Sequence, residues 1–246
     1  MTETTLPTIR ITATEGGNGA AGLAGVDGQN SAAAGTGQDG QNGKSHCGCT
    51  CAKNGTNGAN AVSAGGNGGN GTGGGNCPMF ILTVGQFTFS EPAQVLRIVS
   101  QGGTGGNGGA GGIGGKGAPG GNAGSNAGSC VSDGKCDPAK GGQGGNGTDG
   151  GRGGDGGIGG NGGDITVYYV DEKHIGQVSS LSSPGKGGAP GPGGNGGAGG
   201  AGGKNETPPG GEPSNAFPGN SGINPGSGRA GTNGEAGQTK FIPKDQ

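Results

Sequence analysis

The chain has 246 residues, and 75 of them are glycine, where ordinary proteins carry about 7%. Hydrophobic residues make up 25%, with five Phe, two Tyr and no Trp, so an oil-filled core and the common α/β, all-α and sandwich enzyme folds are not expected. The net charge is −2, with 14 basic residues scattered over the whole length, which leaves no clustered basic face for nucleic acid.

The first residues, MTETTLPTIR, show neither the basic nor the apolar region of a secretory signal peptide. Residues 6–14 alternate like a strand, within a β segment 6–15. A glycine-rich excursion, 16–76, follows; glycine recurs at 16, 19, 22, 25 and 28, and the phase breaks at KSHCGCTCAKN, 44–54. The segment 77–101 is the most apolar and reads as two or three strands; its longest apolar run, around Met79 to Val84, is too short to span a membrane. The second excursion, 102–163, places Thr104, Asn107, Ala110, Ile113 and Lys116 at every third position, and then Gln143 to Asn161 likewise. Its phase breaks at SCVSDGKCDPAK, 129–140. Segment 164–184 reads as two strands around a polar turn. The third excursion, 185–237, breaks at 205–227, and 238–246 holds a last short strand, QTKFIP.

A period of three is the pitch of a polyproline-II type helix, which makes no internal hydrogen bonds. Bare glycine faces let such helices approach until each backbone bonds to the next, with weak Cα–H contacts alongside. The fold class expected is a polyglycine-II helix bundle of about six antiparallel legs in three hairpins, with a small β base and no α-helix. The chain would be a single elongated domain, 1–246, and the legs 102–128 and 141–163 would reach on the order of 70–80 Å at roughly 3.1 Å per residue. Legs with one glycine per triplet, 16–43 and 228–237, would lie at the edge, with the second excursion central. Gly105, Gly108, Gly111, Gly144, Gly153 and Gly156 are the expected packing glycines.

Cys47, Cys49 and Cys51, beside His46, form C-x-C-x-C at the first break. This is not a zinc-finger or zinc-ribbon spacing, and disulfides suit a core-poor protein better than a metal. The expected disulfide cysteines are Cys47, Cys49, Cys51, Cys130 and Cys136, with Cys130 and Cys136 spaced for a local bridge. Cys77 lies a full leg away from the others. A disulfide needs Cα atoms within about 7 Å, so Cys77 is the candidate for an intermolecular bond. The many G-x-G-x-x-G matches lack a βαβ context and carry no dinucleotide signal. His174 reads as a solvated turn residue. The sequons at Asn54, Asn70, Asn146 and Asn205 are read as products of composition.

The Gly-Gly-X legs with cysteines resemble the Gly-rich antifreeze proteins of springtails and the Gly-rich receptor-binding adhesins of phage tail fibres. The resemblance covers the excursions, about three quarters of the chain, and is one of repeat and composition. It implies the bundle architecture for those excursions.

The functional expectation is a non-catalytic structural protein, extracellular or on a cell or virion surface. Rod-shaped subunits would assemble head to tail into a filament with intermolecular disulfides, the partner being the chain itself. No cofactor, metal, nucleic acid, membrane span or small-molecule substrate is expected. Two alternatives stand beside it. An ice-binding protein would need a flat face of small residues, which Ile113, Lys116, Arg152, Asp155 and Ile158 interrupt. A receptor-binding tip adhesin of a viral fibre would want aromatic tips, and Phe217 alone is there.

Overall fold

The computed structural model describes residues 8–12, 38–45 and 48–245. Its strands are β1 (Thr8–Thr12), β2 (Phe80–Val84), β3 (Leu96–Gln101), β4 (Ile165–Tyr169), β5 (Val178–Ser183) and β6 (Thr239–Pro243). They form two three-stranded sheets, ordered β1-β3-β5 and β2-β4-β6. All four pairings are parallel, with Ile9 opposite Ile98, Leu96 opposite Val178, Phe80 opposite Ile165 and Val167 opposite Phe241.

These elements overturn the expected polyglycine-II bundle of six antiparallel legs with a small β base: the fold is one of two small parallel sheets with almost no helix. A five-residue α-helix, α1 (Gly128–Ser132), also stands where none was expected. The reason lies in how strands find partners. Strands adjacent in sequence do not pair: β2 and β3 join different sheets, as do β4 and β5. Each strand instead pairs with the one reached after a full circuit of the chain, and a parallel pairing needs a connection that long.

The core lies between the sheets. Ile98, Ile165, Val167, Tyr169 and Val178 are buried there with Phe87, and Ile11, Phe80, Leu82, Val84, Phe89 and Leu96 pack against them. Other large apolar side chains, among them Ile81, Ile113, Ile158, Phe217 and Ile223, are exposed, so this cluster is where hydrophobic burial acts. Phe89 meets the His174 ring edge-on at 5.8 Å. His174 Nδ1 is 2.7 Å from Gln177 Oε1, and Gln177 Nε2 donates to the Pro92 and Gln94 carbonyls. The solvated turn expected for His174 is thus a half-buried hinge between the 85–95 loop and the short 3-10 turn Ile175–Gln177.

Between the strands the glycine-rich segments carry no strand or helix, and backbone bonds tie them together at every third residue. Each circuit has an outbound and an inbound segment: 38–45 (its described part) and 52–77, then 102–127 and 138–163, then 185–204 and 214–238. Inbound segments run side by side in parallel, with Gly55 N–H bonded to the Lys140 carbonyl and Gly144 N–H to Phe217. Outbound segments do the same through Gly40 to Asn122 and Gly105 to Lys186. The two layers join antiparallel through Gly103 to Gly75, Gly142 to Gly121, Gly185 to Gly160 and Ala216 to Gly203. Both segments of the second circuit bond to neighbours on four sides, whereas 214–238 bonds to two segments. Most of the single-glycine leg 16–43, Gly25 included, lies outside the described residues.

Candidate functional site: the inter-segment contacts and the disulfide-bonded turn

The glycine positions face carbonyls of neighbouring segments at a distance that admits no side chain. A Cβ at Gly105, Gly108 or Gly111 would sit 2.0 Å from the carbonyl oxygens of Gly157, Gly154 and Gly151 respectively. At Gly144 and Gly153 the distance is 1.9 Å, to Gly200 and Gly191, and at Gly156 it is 2.1 Å, to Gly188. These six glycines therefore allow the close approach that the hydrogen bonds require.

The residue between each glycine pair points outward, and there a second device operates. At many of these positions its backbone N–H donates to an Asn or Asp side chain of the preceding circuit. Asn57 Oδ1 accepts from Gln143 N–H at 2.8 Å, Asn67 from Arg152 at 2.9 Å and Asn70 from Asp155 at 2.9 Å. The same step repeats from the second circuit to the third: Asn146 to Asn220, Asp155 to Arg229 and Asn161 to Glu235. Rows such as Asn60–Asn146–Asn220 and Asn76–Asn161–Glu235 thus cross all three inbound segments. Sequence reasoning missed these ladders. The signal is the recurrence of Asn at third positions, Asn54, Asn57, Asn60, Asn67, Asn70 and Asn76. Asn54, Asn70 and Asn146, three sequon asparagines, are acceptors in this system.

At the end away from the sheets, α1 and the turn after it carry the second circuit around. Gly134, at φ 66°, donates to the Val131 carbonyl, and Cys136 N–H donates back to Cys130. This sets Cys130 and Cys136 toward the first circuit, where they bond Cys49 and Cys51, with Cα separations of 5.7 and 5.4 Å. The local Cys130–Cys136 bridge expected from their spacing does not form: the turn holds both against the preceding circuit instead. Cys47 and His46 lie outside the described residues. Glu206, from the third circuit, fastens the same region by accepting from Ala139 N–H at 2.7 Å and Asn126 Nδ2 at 2.6 Å. A groove of about 470 Å³ beside the Cys51–Cys136 bond is lined by residues that include Asn54, Lys135, Asp137 and Lys140.

Cys77 is free and buried, 7% exposed, with its Sγ 3.5 Å from the Ile11 carbonyl. That burial gives the intermolecular disulfide expected of it no accessible thiol. Among the described residues no group of His, Cys, Asp and Glu could hold a metal ion, and no helix is long and apolar enough to cross a membrane.

No protein-family model matches the chain, and no curated protein matches it. Among solved structures, it is similar to the "nine polyproline type II helical bundle springtail antifreeze protein from Granisotoma rainieri". The identity is 28%, covering 82% of this chain and 94% of that one, and the TM-score is 0.14. A TM-score that low establishes no common fold and carries nothing about function.

Proposed function

We propose that this is a non-catalytic structural protein that works outside the cell, or on a cell or virion surface, as a stiff rod. The observation that carries this reading is the pair of disulfides, Cys49–Cys130 and Cys51–Cys136, which clamp the first circuit to the second at the end opposite the parallel sheets. Disulfides persist in oxidising compartments, and they serve chains too poor in apolar residues to rely on a core. Clamped at one end and sheet-paired at the other, the glycine-rich segments are held in register along their length. The buried thiol of Cys77 argues against a filament joined through it, so the rod acts as an isolated unit in this reading.

The test is to trap thiols with an alkylating agent as the protein is harvested from its native source, then map the cysteines by mass spectrometry. Unmodified, paired Cys49, Cys51, Cys130 and Cys136 support the proposal. Four alkylated cysteines would reject the oxidising location, and a small-angle scattering profile of a compact sphere would reject the rod.

A second reading, ice binding, is favoured by one feature. Small residues of adjacent outbound segments lie side by side on the outer face, Ala110 next to Pro192, and Pro119 next to Ala201, since Gly111 bonds to Pro192 and Gly120 to Ala201. Exposed Ile113 and Lys116 interrupt that face. A thermal-hysteresis measurement separates the two: a gap between melting and freezing points that disappears in Ala198→Lys would put the second reading first.

A further inference from the structure

The last inbound segment departs from its predecessors at one row of positions. In the first circuit the row whose N–H groups bond onward to the next circuit includes Gly58, Gly65, Gly68, Gly71 and Gly74, and in the second it is glycine from Gly144 to Gly162 at every third residue. Ala61 is an exception in the first circuit, but the glycines of the row are bare because the next outbound segment fills the space where their Cβ atoms would project. A Cβ at Gly144, Gly150 or Gly156 would lie 1.9, 2.1 and 2.1 Å from the carbonyl oxygens of Gly200, Gly194 and Gly188.

In the third circuit the same row reads Pro218, Ser221, Asn224, Ser227, Ala230, Asn233 and Ala236, with no glycine. Its side chains occupy the place that a fourth outbound segment would take. They also satisfy what such a segment would have satisfied. Gly105 and Gly117 donate their N–H groups to Lys186 and Ala198 of the next circuit. Their counterparts one circuit on, Gly187 and Gly199, donate instead to Asn233 Oδ1 at 3.0 Å and Ser221 Oγ at 3.2 Å. Asn224 Nδ2 reaches the Gly193 carbonyl at 3.4 Å. Pro218 has no N–H to offer a further neighbour. The adjoining edge strand β6 carries Lys240 and Pro243, which discourage strand addition.

We infer that residues 214–237 are a terminating cap, built to stop the circuits from being extended by the first circuit of a second copy of this chain. The surface beneath the cap is a self-association surface, and its fitting partner is another copy presenting its own glycine-rich segments. The inference holds wherever the protein resides, so it stands apart from the extracellular proposal. Repeat proteins generally need such ends to stay soluble.

The test uses the full oxidised chain with Ser221, Asn224, Ser227, Ala230, Asn233 and Ala236 all changed to Gly. Sedimentation velocity should show a single-chain mass for the wild type at all concentrations, and a mass for the variant that climbs with concentration. A variant that keeps both disulfides and the wild-type circular dichroism yet stays a single chain would overturn the inference, as would a polymerising wild type. A second measurement is independent of that variant's folding. In Ser221→Ala and Asn233→Ala, exchange of the Gly199 and Gly187 amides respectively should speed up about tenfold or more, with Gly105 and Gly117 unchanged. Unchanged protection at Gly187 and Gly199 would also overturn it.

Discussion

Gly108→Ala adds one methyl group at a place with no room for it. The new Cβ would stand 2.0 Å from the Gly154 carbonyl oxygen and 2.8 Å from the Gly191 nitrogen. Reaching even the roughly 3.3 Å of a Cα–H···O contact requires a retreat of about 1.3 Å. The bonds around it are short: Gly108 to Ala189 at 2.9 Å, Gly109 to Gly69 at 2.7 Å and Gly154 to Gly109 at 2.8 Å. A retreat of that size takes two or three of them beyond hydrogen-bonding distance. Each buried group left unpaired costs about 1–3 kcal/mol, so the loss is about 2–9 kcal/mol. Set against a total stability of about 5–15 kcal/mol, that is a large fraction. The melting temperature of the oxidised protein, read by calorimetry, should fall by about 4 °C at the low end of that range and by well over 10 °C at the high end, at roughly 2–4 °C per kcal/mol. The control is Gly85→Ala, where a Cβ meets nothing within 4 Å; it should hold or raise stability by up to about 1 kcal/mol. Equal melting temperatures for the two variants would refute the reasoning.

Reducing both disulfides opens rings of 81 and 85 residues; the chain-entropy model assigns about 4–5 kcal/mol to such a ring. Because the two rings nearly coincide, Cys51→Ser with Cys136→Ser should lower the melting temperature far less than full reduction, as differential scanning of the three samples would show. Asn70→Ala removes the acceptor for Asp155 N–H and should cost about 0.5–1.5 kcal/mol by thermal melt, with faster exchange at the Asp155 amide. Gly134→Ala forces a side chain into φ 66° and should cost about 1–2 kcal/mol, read as a lower melting temperature. A thiol reagent should leave Cys77 untouched in the native protein and modify it once denaturant is added; labelling at the same rate in both conditions would contradict its burial.

The sequence made the strand segments legible because β-branched and aromatic residues concentrate there: FILTV, LRIVSQ, ITVYY, VSSLSS and TKFIP all form strands. Their partners were not legible. Pairing depends on where a circuit of glycine-rich chain returns, which no local alternation encodes. The period of three points to a helix bundle, whereas the strands form two parallel sheets. Helix α1 escaped notice because GSCVS has weak helical propensity and forms within a turn that the disulfides hold. The disulfide pattern escaped for a related reason: Cys130 and Cys136 are close in sequence, but the turn aims both at the preceding circuit. The Asn rows were hidden by frequency, as a residue so common invites a compositional explanation.

Backbone hydrogen bonds hold the glycine-rich segments together, and amide hydrogen exchange on the oxidised protein tests this most directly. The amides of Gly109, Gly154 and Gly191, bonded to Gly69, Gly109 and Gly154, should exchange only through global unfolding, as slowly as Val167 in the middle strand β4. Exchange of these glycines at the rate of an unstructured chain, with Val167 still protected, would contradict it.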